Sequence, residues 1–126
     1  MSESIYLAGR YGRKAEIKEA ADILETKGYR IASRWVYNVG EEPTSIRHRY
    51  LEAIRDYHNL AEADIFMAFT EDPESAWVRG SRHVEMGLAI AWRKDIIVIG
   101  PKENIFCHLP GIMKVYCNWE EYQETL

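Results

Sequence analysis

The chain has 126 residues, which suffice for one compact domain with a buried core but not for two independent domains. Its 16 basic and 20 acidic residues give a formal net charge of -4, and the basic residues form no run, which argues against a nucleic acid polymer as partner. Two cysteines are too few for a secreted disulfide scaffold, and no apolar run approaches the roughly 20 residues that cross a membrane. The N-terminus also has no signal-peptide pattern. We therefore expect one cytoplasmic domain over residues 1–126, with no membrane partner.

Strands and helices are predicted to alternate along the chain. In chain order, the first half is predicted to contain a strand at 5–8, a helix at 14–27, a strand at 29–32, a loop at 39–44 and a helix from Thr44 or Ser45 to about Ala63. The second half is predicted to contain a strand at 64–69, a loop at 70–77, a helix at 81–92, a strand at 96–99, a strand at 115–117 and a helix at 119–124.

This alternation predicts the fold class. The apolar residues of the 64–69 strand are continuous, as in a parallel strand that is buried on both faces. Strands joined by helices imply right-handed crossovers, so we expect an α/β, flavodoxin-like or Rossmann-like three-layer sandwich, with about five parallel strands and helices on both faces. Ligands of such sheets bind beyond the carboxyl ends of the strands, near the point where the strand order reverses. The loops after Ala8, Phe69 and Ile99 are therefore the candidate site.

The first candidate segment is the turn after the first strand. It holds Gly9 and Gly12, together with Arg10 and Arg13, just before a helix whose N-terminus would attract an anion. The alternative is that the glycines only turn the chain and the arginines are solvated. The segment has neither the dinucleotide-binding glycine fingerprint nor a P-loop lysine.

The second candidate segment opens the helix at 81–92. Glu85 lies near the start of this helix, where the helix dipole stabilises an anion. Gly87 is unfavourable inside a helix, which suggests that another group approaches the helix backbone closely at this position. The residues around the helix start that could bind a substrate are Gly80, Ser81, Arg82 and His83. The alternative is that Glu85 is a capping acid on an ordinary surface helix.

The third candidate is Asp56, inside the helix that leads into the 64–69 strand. An Asp in an amphipathic helix is usually on a solvated face. Asp56 is therefore a candidate only because the other two segments occur in the same sequence.

Other kinds of site have less support. Neither Cys107 nor Cys117 has a partner histidine at a diagnostic spacing, and the sequence has no serine-nucleophile elbow. The four histidines form no pair with metal-ligand spacing, so we expect neither a metal nor a cofactor.

Taken together and in this order, the three segments resemble the nucleoside 2-deoxyribosyltransferase superfamily, which includes deoxynucleoside 5'-monophosphate N-glycosidases. The resemblance spans most of the chain. It rests on the strand and glycine turn at Tyr6–Gly9, on Asp56 ahead of Ala63-Asp64, and on the E-x-G-x-A pattern that begins at Glu85.

The resemblance implies a role for each of three residues. Glu85 would be the nucleophile that attacks C1' of the sugar and forms a glycosyl-enzyme intermediate. Tyr6 would orient Glu85 by a hydrogen bond. Asp56 would protonate the departing base and later activate the acceptor.

The resemblance also implies a homodimer, or a higher assembly of dimers, in which a neighbouring subunit completes the site. Its contribution would come from the loop that holds Asn104 and His108, and the apolar character of residues 103–110 agrees with a subunit contact. Two departures from the pattern leave the base preference open. His83 stands where members often have Gly, and no acid among Glu71, Asp72 and Glu74 clearly matches the one that precedes the nucleophile in many members.

The sequence leaves several reactions open. Transfer to a second base and hydrolysis share one intermediate, so we expect a transferase that acts on a (deoxy)nucleoside, with a 5'-monophosphate N-glycosidase as the alternative. The cationic and polar groups that could hold a 5'-phosphate are Arg10, Arg13, Ser81, Arg82 and His83. A nucleotide-binding module without catalysis is a further alternative, whereas a dinucleotide-dependent oxidoreductase is disfavoured because its fingerprint is missing.

Overall fold

The computed structural model describes residues 2–38, 45–74 and 80–126. The loop predicted at 39–44 lies outside this part of the chain, as do residues 75–79, which include Trp77 and Arg79.

The predicted strands and helices are found close to their expected positions. The first four elements are β1 (Ser4–Ala8), α1 (Lys14–Thr26), β2 (Arg30–Ile31) and α2 (Ile46–Glu62). The remaining elements are β3 (Ile65–Phe69), α3 (Ser81–Ala91), β4 (Asp95–Ile99), β5 (Met113–Tyr116) and α4 (Trp119–Gln123). Among the described residues there are also three short 3-10 turns that were not predicted, at Tyr11–Arg13, Arg34–Tyr37 and Ile105–His108.

The strands form one parallel sheet in the order β2-β1-β3-β4-β5. This is the flavodoxin-like order, so the predicted α/β fold with five parallel strands is confirmed. The chain moves to one side of β1 to form β2 and returns to the other side to form β3, so the strand order reverses between β1 and β3. The segments after these two strands therefore flank the crevice in which such folds bind ligands.

Helices cover both faces of the sheet. Right-handed crossovers place α1 on one face and α2 and α3 on the other, where α2 packs on β1 and α3 packs on β3 and β4. Because residues of α1 and α4 line one cavity together, α4 lies on the same face as α1. The strands β1 and β3 are buried along their whole length, as the continuous apolar run of β3 predicted.

Strand β2 is shorter than the predicted 29–32, and side chains take over its pairing with β1. The hydroxyl oxygen of Ser33 accepts a hydrogen bond of 2.9 Å from the Leu7 N–H, and Trp35 Nε1 donates one of 2.7 Å to the Leu7 carbonyl. The N–H and carbonyl groups of Leu7 lie beyond the end of β2, so these side chains supply the hydrogen bonds that β2 does not. Buried backbone groups need such partners.

Candidate active site

Tyr6 and Glu85 meet on the face of the sheet that α2 and α3 cover. Tyr6 lies in the middle of β1, is fully buried, and stacks on Phe66 of β3 with 6.1 Å between ring centroids. Its hydroxyl donates a hydrogen bond to Glu85 Oε2. A rigid, buried phenol therefore fixes one oxygen of a carboxylate that lies in the second turn of α3.

Asp56 on α2 lies within electrostatic range of the same pair. Its carboxylate is close enough that its charge raises the pKa of both Glu85 and Tyr6. It accepts hydrogen bonds from Arg55 Nε at 3.2 Å and Nη2 at 3.1 Å, and Arg55 also pairs with Glu52. Three elements that are distant in sequence thus bring a phenol and two carboxylates together.

Burial alters the acidity of all three groups. It raises the pKa of Glu85 to about 7, although the hydrogen bond from Tyr6 acts in the opposite direction. Burial also raises the pKa of Asp56, and the neighbouring Arg55 partly opposes this rise. The pKa of Tyr6 is raised by burial and by the charge of Glu85, so the phenol remains a hydrogen-bond donor at neutral pH. The site can therefore hold one protonated and one ionised carboxyl, the arrangement that acid-base and nucleophilic chemistry need.

Arg82, which the sequence suggested for substrate binding, is instead buried in an ion pair. Its Nε donates to Glu103 Oε1 at 2.9 Å and its Nη2 donates to Glu103 Oε2 at 2.6 Å. The side chains of Arg82 and Glu103 are only 5% and 4% exposed, so their charges satisfy each other inside the protein.

Arg13 is likewise engaged within the chain. Its Nη1 donates to Glu71 Oε2 at 2.7 Å and to the Thr70 carbonyl at 2.9 Å, and its Nε donates to Glu16 Oε1 at 2.6 Å. Arg10 Nε lies 3.5 Å from the other oxygen of Glu71. Glu71 thus joins the segment after β1 to the segment after β3, across the point where the strand order reverses.

The glycines of the candidate segments differ in whether, and why, the structure requires glycine at their positions. A Cβ at Gly9 would lie 2.5 Å from Ile17 Cδ1 and 3.3 Å from Phe69 Cβ, so Gly9 lets α1 pack closely on the sheet. A Cβ at Gly12 would meet only the flexible end of Arg10. Gly80 starts α3 with φ at 85°, a conformation that favours glycine, and Ser81 follows it exposed at the helix start.

His83 and Asn104 contact each other within one subunit. Asn104 Nδ2 lies 3.1 Å from His83 Nδ1, and Asn104 Oδ1 accepts the backbone N–H of Phe106 at 2.9 Å. With the amide nitrogen as donor, His83 Nδ1 is the acceptor, and the imidazole proton resides on Nε2. His108 is exposed on the 3-10 turn that begins just after Asn104.

A cavity of about 330 Å³ lies on the opposite face of the sheet, between α1 and α4. Phe69, Trp119 and Arg13 line it, whereas Tyr6, Asp56 and Glu85 do not. Within residues 2–38, 45–74 and 80–126, no group of three or more His, Cys, Asp or Glu side chains is placed to hold a metal ion. No helix in these ranges is long and apolar enough to cross a bilayer.

Three residues of this region were not predicted from the sequence: Arg55, Glu71 as a partner of arginine, and Glu103. Arg55 directly precedes Asp56, which was a usable signal. Glu71 and Glu103 reach arginines that lie 58 and 21 positions away, and no local pattern marks such pairs.

No family model matches the chain, and no curated protein matches it. Several solved structures, however, are similar to the chain. A 2-deoxyribosyltransferase from the psychrotolerant bacterium Bacillus psychrosaccharolyticus is similar with a TM-score of 0.73 and 19% identity, covering 95% of this chain and 90% of that chain.

A CMP N-glycosidase from Clostridium botulinum is similar with a TM-score of 0.65 and 23% identity, covering 98% of this chain and 97% of that one. A conserved protein from Enterococcus faecalis V583 is similar with a TM-score of 0.62 and 16% identity over the full length of both chains. At these identities the likeness establishes a shared fold, which is the fold that the resemblance to the nucleoside 2-deoxyribosyltransferase superfamily implied.

Proposed function

We propose that this protein is an enzyme of the nucleoside 2-deoxyribosyltransferase superfamily that cleaves the N-glycosidic bond of a (deoxy)nucleoside and transfers the sugar to another base. The observation that carries the proposal is the hydrogen bond from buried Tyr6 to Glu85, with Asp56 beside it. The shared fold with a 2-deoxyribosyltransferase and a CMP N-glycosidase supports the same class of reaction.

In the first step of this reaction, Glu85 attacks C1' of the sugar. A bond forms between C1' and a carboxylate oxygen of Glu85 while the bond from C1' to the base nitrogen breaks, and Asp56 gives its proton to the departing base. The hydrogen bond from Tyr6 holds one oxygen of Glu85, which leaves the other oxygen for the attack.

The second step reverses the first with a new base. Asp56 takes the proton from the acceptor nitrogen, the new bond from C1' to nitrogen forms, and the ester to Glu85 breaks. The raised pKa of Asp56 suits a group that must carry a proton in one step and release it in the next.

One observation supports and another opposes a second candidate function, that of a 5'-monophosphate N-glycosidase, which transfers the sugar to water. The similarity to a CMP N-glycosidase over 98% of this chain supports it. The pairing of Arg13 and Arg82 with Glu71, Glu16 and Glu103 weakens it, because these cations are already neutralised by carboxylates. We therefore place the nucleoside reaction first.

The protein is also proposed to work as a homodimer or a higher assembly, in which the exposed His108 of one subunit completes the site of its neighbour, whereas Asn104 is held by His83 and Phe106 of its own subunit. The support is an exposed apolar stripe on α2, defined by Ile46, Tyr50, Ile54 and Tyr57, on the same face of the sheet as Glu85. Ile46 is 87% exposed and Tyr50 is 65% exposed, which is costly for an isolated subunit. Ile105 and Phe106, on the turn after Asn104, are exposed as well.

The test is a chromatographic assay of base release from each common deoxynucleoside and its 5'-monophosphate, with and without a second free base. Exchange of bases on nucleosides is the expected result. Release without exchange, confined to monophosphates, would replace the transferase with the second candidate. No release from any substrate at high enzyme concentration would mean a nucleotide-binding module, and Glu85→Ala must abolish any activity that is found.

A further inference from the structure

Glu103 is a buried acid that no step of the proposed reaction uses. It lies in the segment after β4, and both of its oxygens accept hydrogen bonds from the guanidinium of Arg82, at 2.9 and 2.6 Å. Breaking such a buried pair would leave an uncompensated charge, so the pair holds its two segments together firmly.

Two further contacts converge on the same place. Glu103 Oε2 accepts the backbone N–H of Glu71 at 3.2 Å, which ties the segment after β3 to the segment after β4. Asn104, the next residue along the chain, contacts His83, the residue after Arg82, at 3.1 Å. Two successive residues of one segment therefore hold two successive residues in the first turn of α3.

The first turn of α3 is also where the position of Glu85 is decided. Arg82 precedes Glu85 by three positions, so the two side chains are neighbours on the helix surface. The helix starts at Gly80, which has no side chain with which to cap it. A shift or rotation of this first turn would move the carboxylate of Glu85 relative to the Tyr6 hydroxyl, because a helix moves as a rigid unit over one turn.

We propose that Glu103 is a positioning residue: through Arg82 it fixes the first turn of α3, so that the carboxylate of Glu85 meets the hydroxyl of Tyr6. The consequence for turnover rests on the proposed function, but the geometry itself does not. Arg82 and Glu103 then form an internal support for the site, in place of the phosphate-binding role that the sequence suggested for Arg82.

The experiment is a double-mutant cycle read by carbon NMR of the Glu85 carboxyl in the ligand-free protein. Titrations compare the wild type, Tyr6→Phe, Glu103→Gln and the double variant. In the wild-type background, Tyr6→Phe should raise the pKa of Glu85, because the lost hydrogen bond stabilised the ionised form. In the Glu103→Gln background, the same substitution should change the pKa of Glu85 much less, because the hydrogen bond has already been lost.

A purely structural role for Glu103 would lower the melting temperature but leave the effect of Tyr6→Phe undiminished, and that result would overturn the proposal. Glu121→Gln is the matched control, since Glu121 also accepts a backbone N–H, from Cys117 at 2.8 Å, but on α4. This control should leave the effect of Tyr6→Phe intact. Arg82→Lys, which keeps the charge but not the two-pronged contact, replaces Glu103→Gln in the cycle if the latter fails to fold.

Turnover gives a second readout where base release is observed. Glu103→Gln should lower kcat by about 10- to 100-fold with a smaller change in KM, because a misplaced nucleophile affects the chemical step more than binding. If the wild type releases no base, the proposed function fails, while the titration still decides the role of Glu103.

Discussion

The hydroxyl of Tyr6 donates a hydrogen bond to the carboxylate of Glu85, although the two residues are 79 positions apart in the chain. Tyr6 comes from the first strand and Glu85 from the helix that follows β3. The parallel sheet places β1 and β3 side by side with Tyr6 opposite Phe66, and this register brings the phenol under the start of α3. The contact therefore depends on the strand order and on the position of α3 together.

Removing the Tyr6 hydroxyl should slow the reaction without unfolding the protein. Hydrogen bonds to charged groups contribute about 1.5–3 kcal/mol, so Tyr6→Phe should reduce kcat/KM by about ten- to a hundredfold. Steady-state kinetics of base release measures the effect. Tyr37→Phe is the matched control, because Tyr37 also donates its hydroxyl proton to a glutamate, Glu25, on the exposed surface of the protein. Equal losses in the two variants would contradict an orienting role for Tyr6.

The pH dependence should report the ionisation of Glu85. The first step needs Glu85 ionised and Asp56 protonated, so the active enzyme carries one proton on this pair of carboxyls. Because the pKa of Glu85 is about 7, kcat/KM should be bell-shaped, falling as pH increases above about 7, where both carboxyls are ionised, and falling again in acid, where both are protonated. In the ligand-free protein Glu85 and Asp56 interact, so the two limbs belong to the pair rather than to either residue alone. A rate that does not change from acidic to mildly basic pH would count against Glu85 as nucleophile.

Glu85 should also make the fold less stable as pH rises. Its pKa is raised from 4.5 to about 7 in the folded protein, so the folded state favours the protonated form, and the free energy of unfolding falls as pH rises from 4.5 through 7. Glu85→Gln should therefore stabilise the protein above pH 7 by on the order of 1–3 kcal/mol, with no comparable gain below the unfolded pKa. Thermal or urea denaturation at both pH values measures this, and Glu19→Gln on the exposed side of α1 should show no such pH-dependent gain.

In the first step, Asp56 should matter only when the leaving base needs a proton. Asp56→Asn should lower the single-turnover rate of base release from ordinary nucleosides by about 10²- to 10⁴-fold, the usual contribution of a general acid. A substrate whose purine is methylated at N7 already carries a positive charge on the base and leaves without protonation, so its base release should recover most of the loss. Asp22→Asn, at an exposed ion pair on α1, is the control. Equal losses on both substrates would assign Asp56 a role other than proton transfer.

The apolar stripe on α2 should be covered by a second copy of the chain. Tyr50→Glu and Ile54→Glu place charges on this stripe and should shift the protein from dimer to monomer, measured by light scattering after size exclusion. Activity should fall with the dimer fraction if a neighbouring subunit completes the site. Glu substitution of exposed Lys18 on α1, on the other face of the sheet, should leave the assembly unchanged. A monomeric wild type would overturn the expectation.

The sequence determined the elements and their order because strand and helix periodicity are local properties. The continuous apolar run of β3 predicted a strand buried on both faces, and the cap at Ser45 and the turn at Gly80 located the starts of two helices. Alternation of these elements then left a parallel sheet as the expected fold. Resemblance of the motifs, rather than periodicity, singled out Glu85 and Asp56.

The tertiary structure alone decided what the charged residues do. The sequence presents Arg13 and Arg82 as cations beside a glycine turn and a helix start, where a phosphate is a reasonable partner. In the folded chain they meet Glu71 and Glu103, which arrive from other loops at the same edge of the sheet. The physical reason is that an ion pair forms between whichever charges the packing brings within a few ångströms, and that distance is independent of separation along the chain.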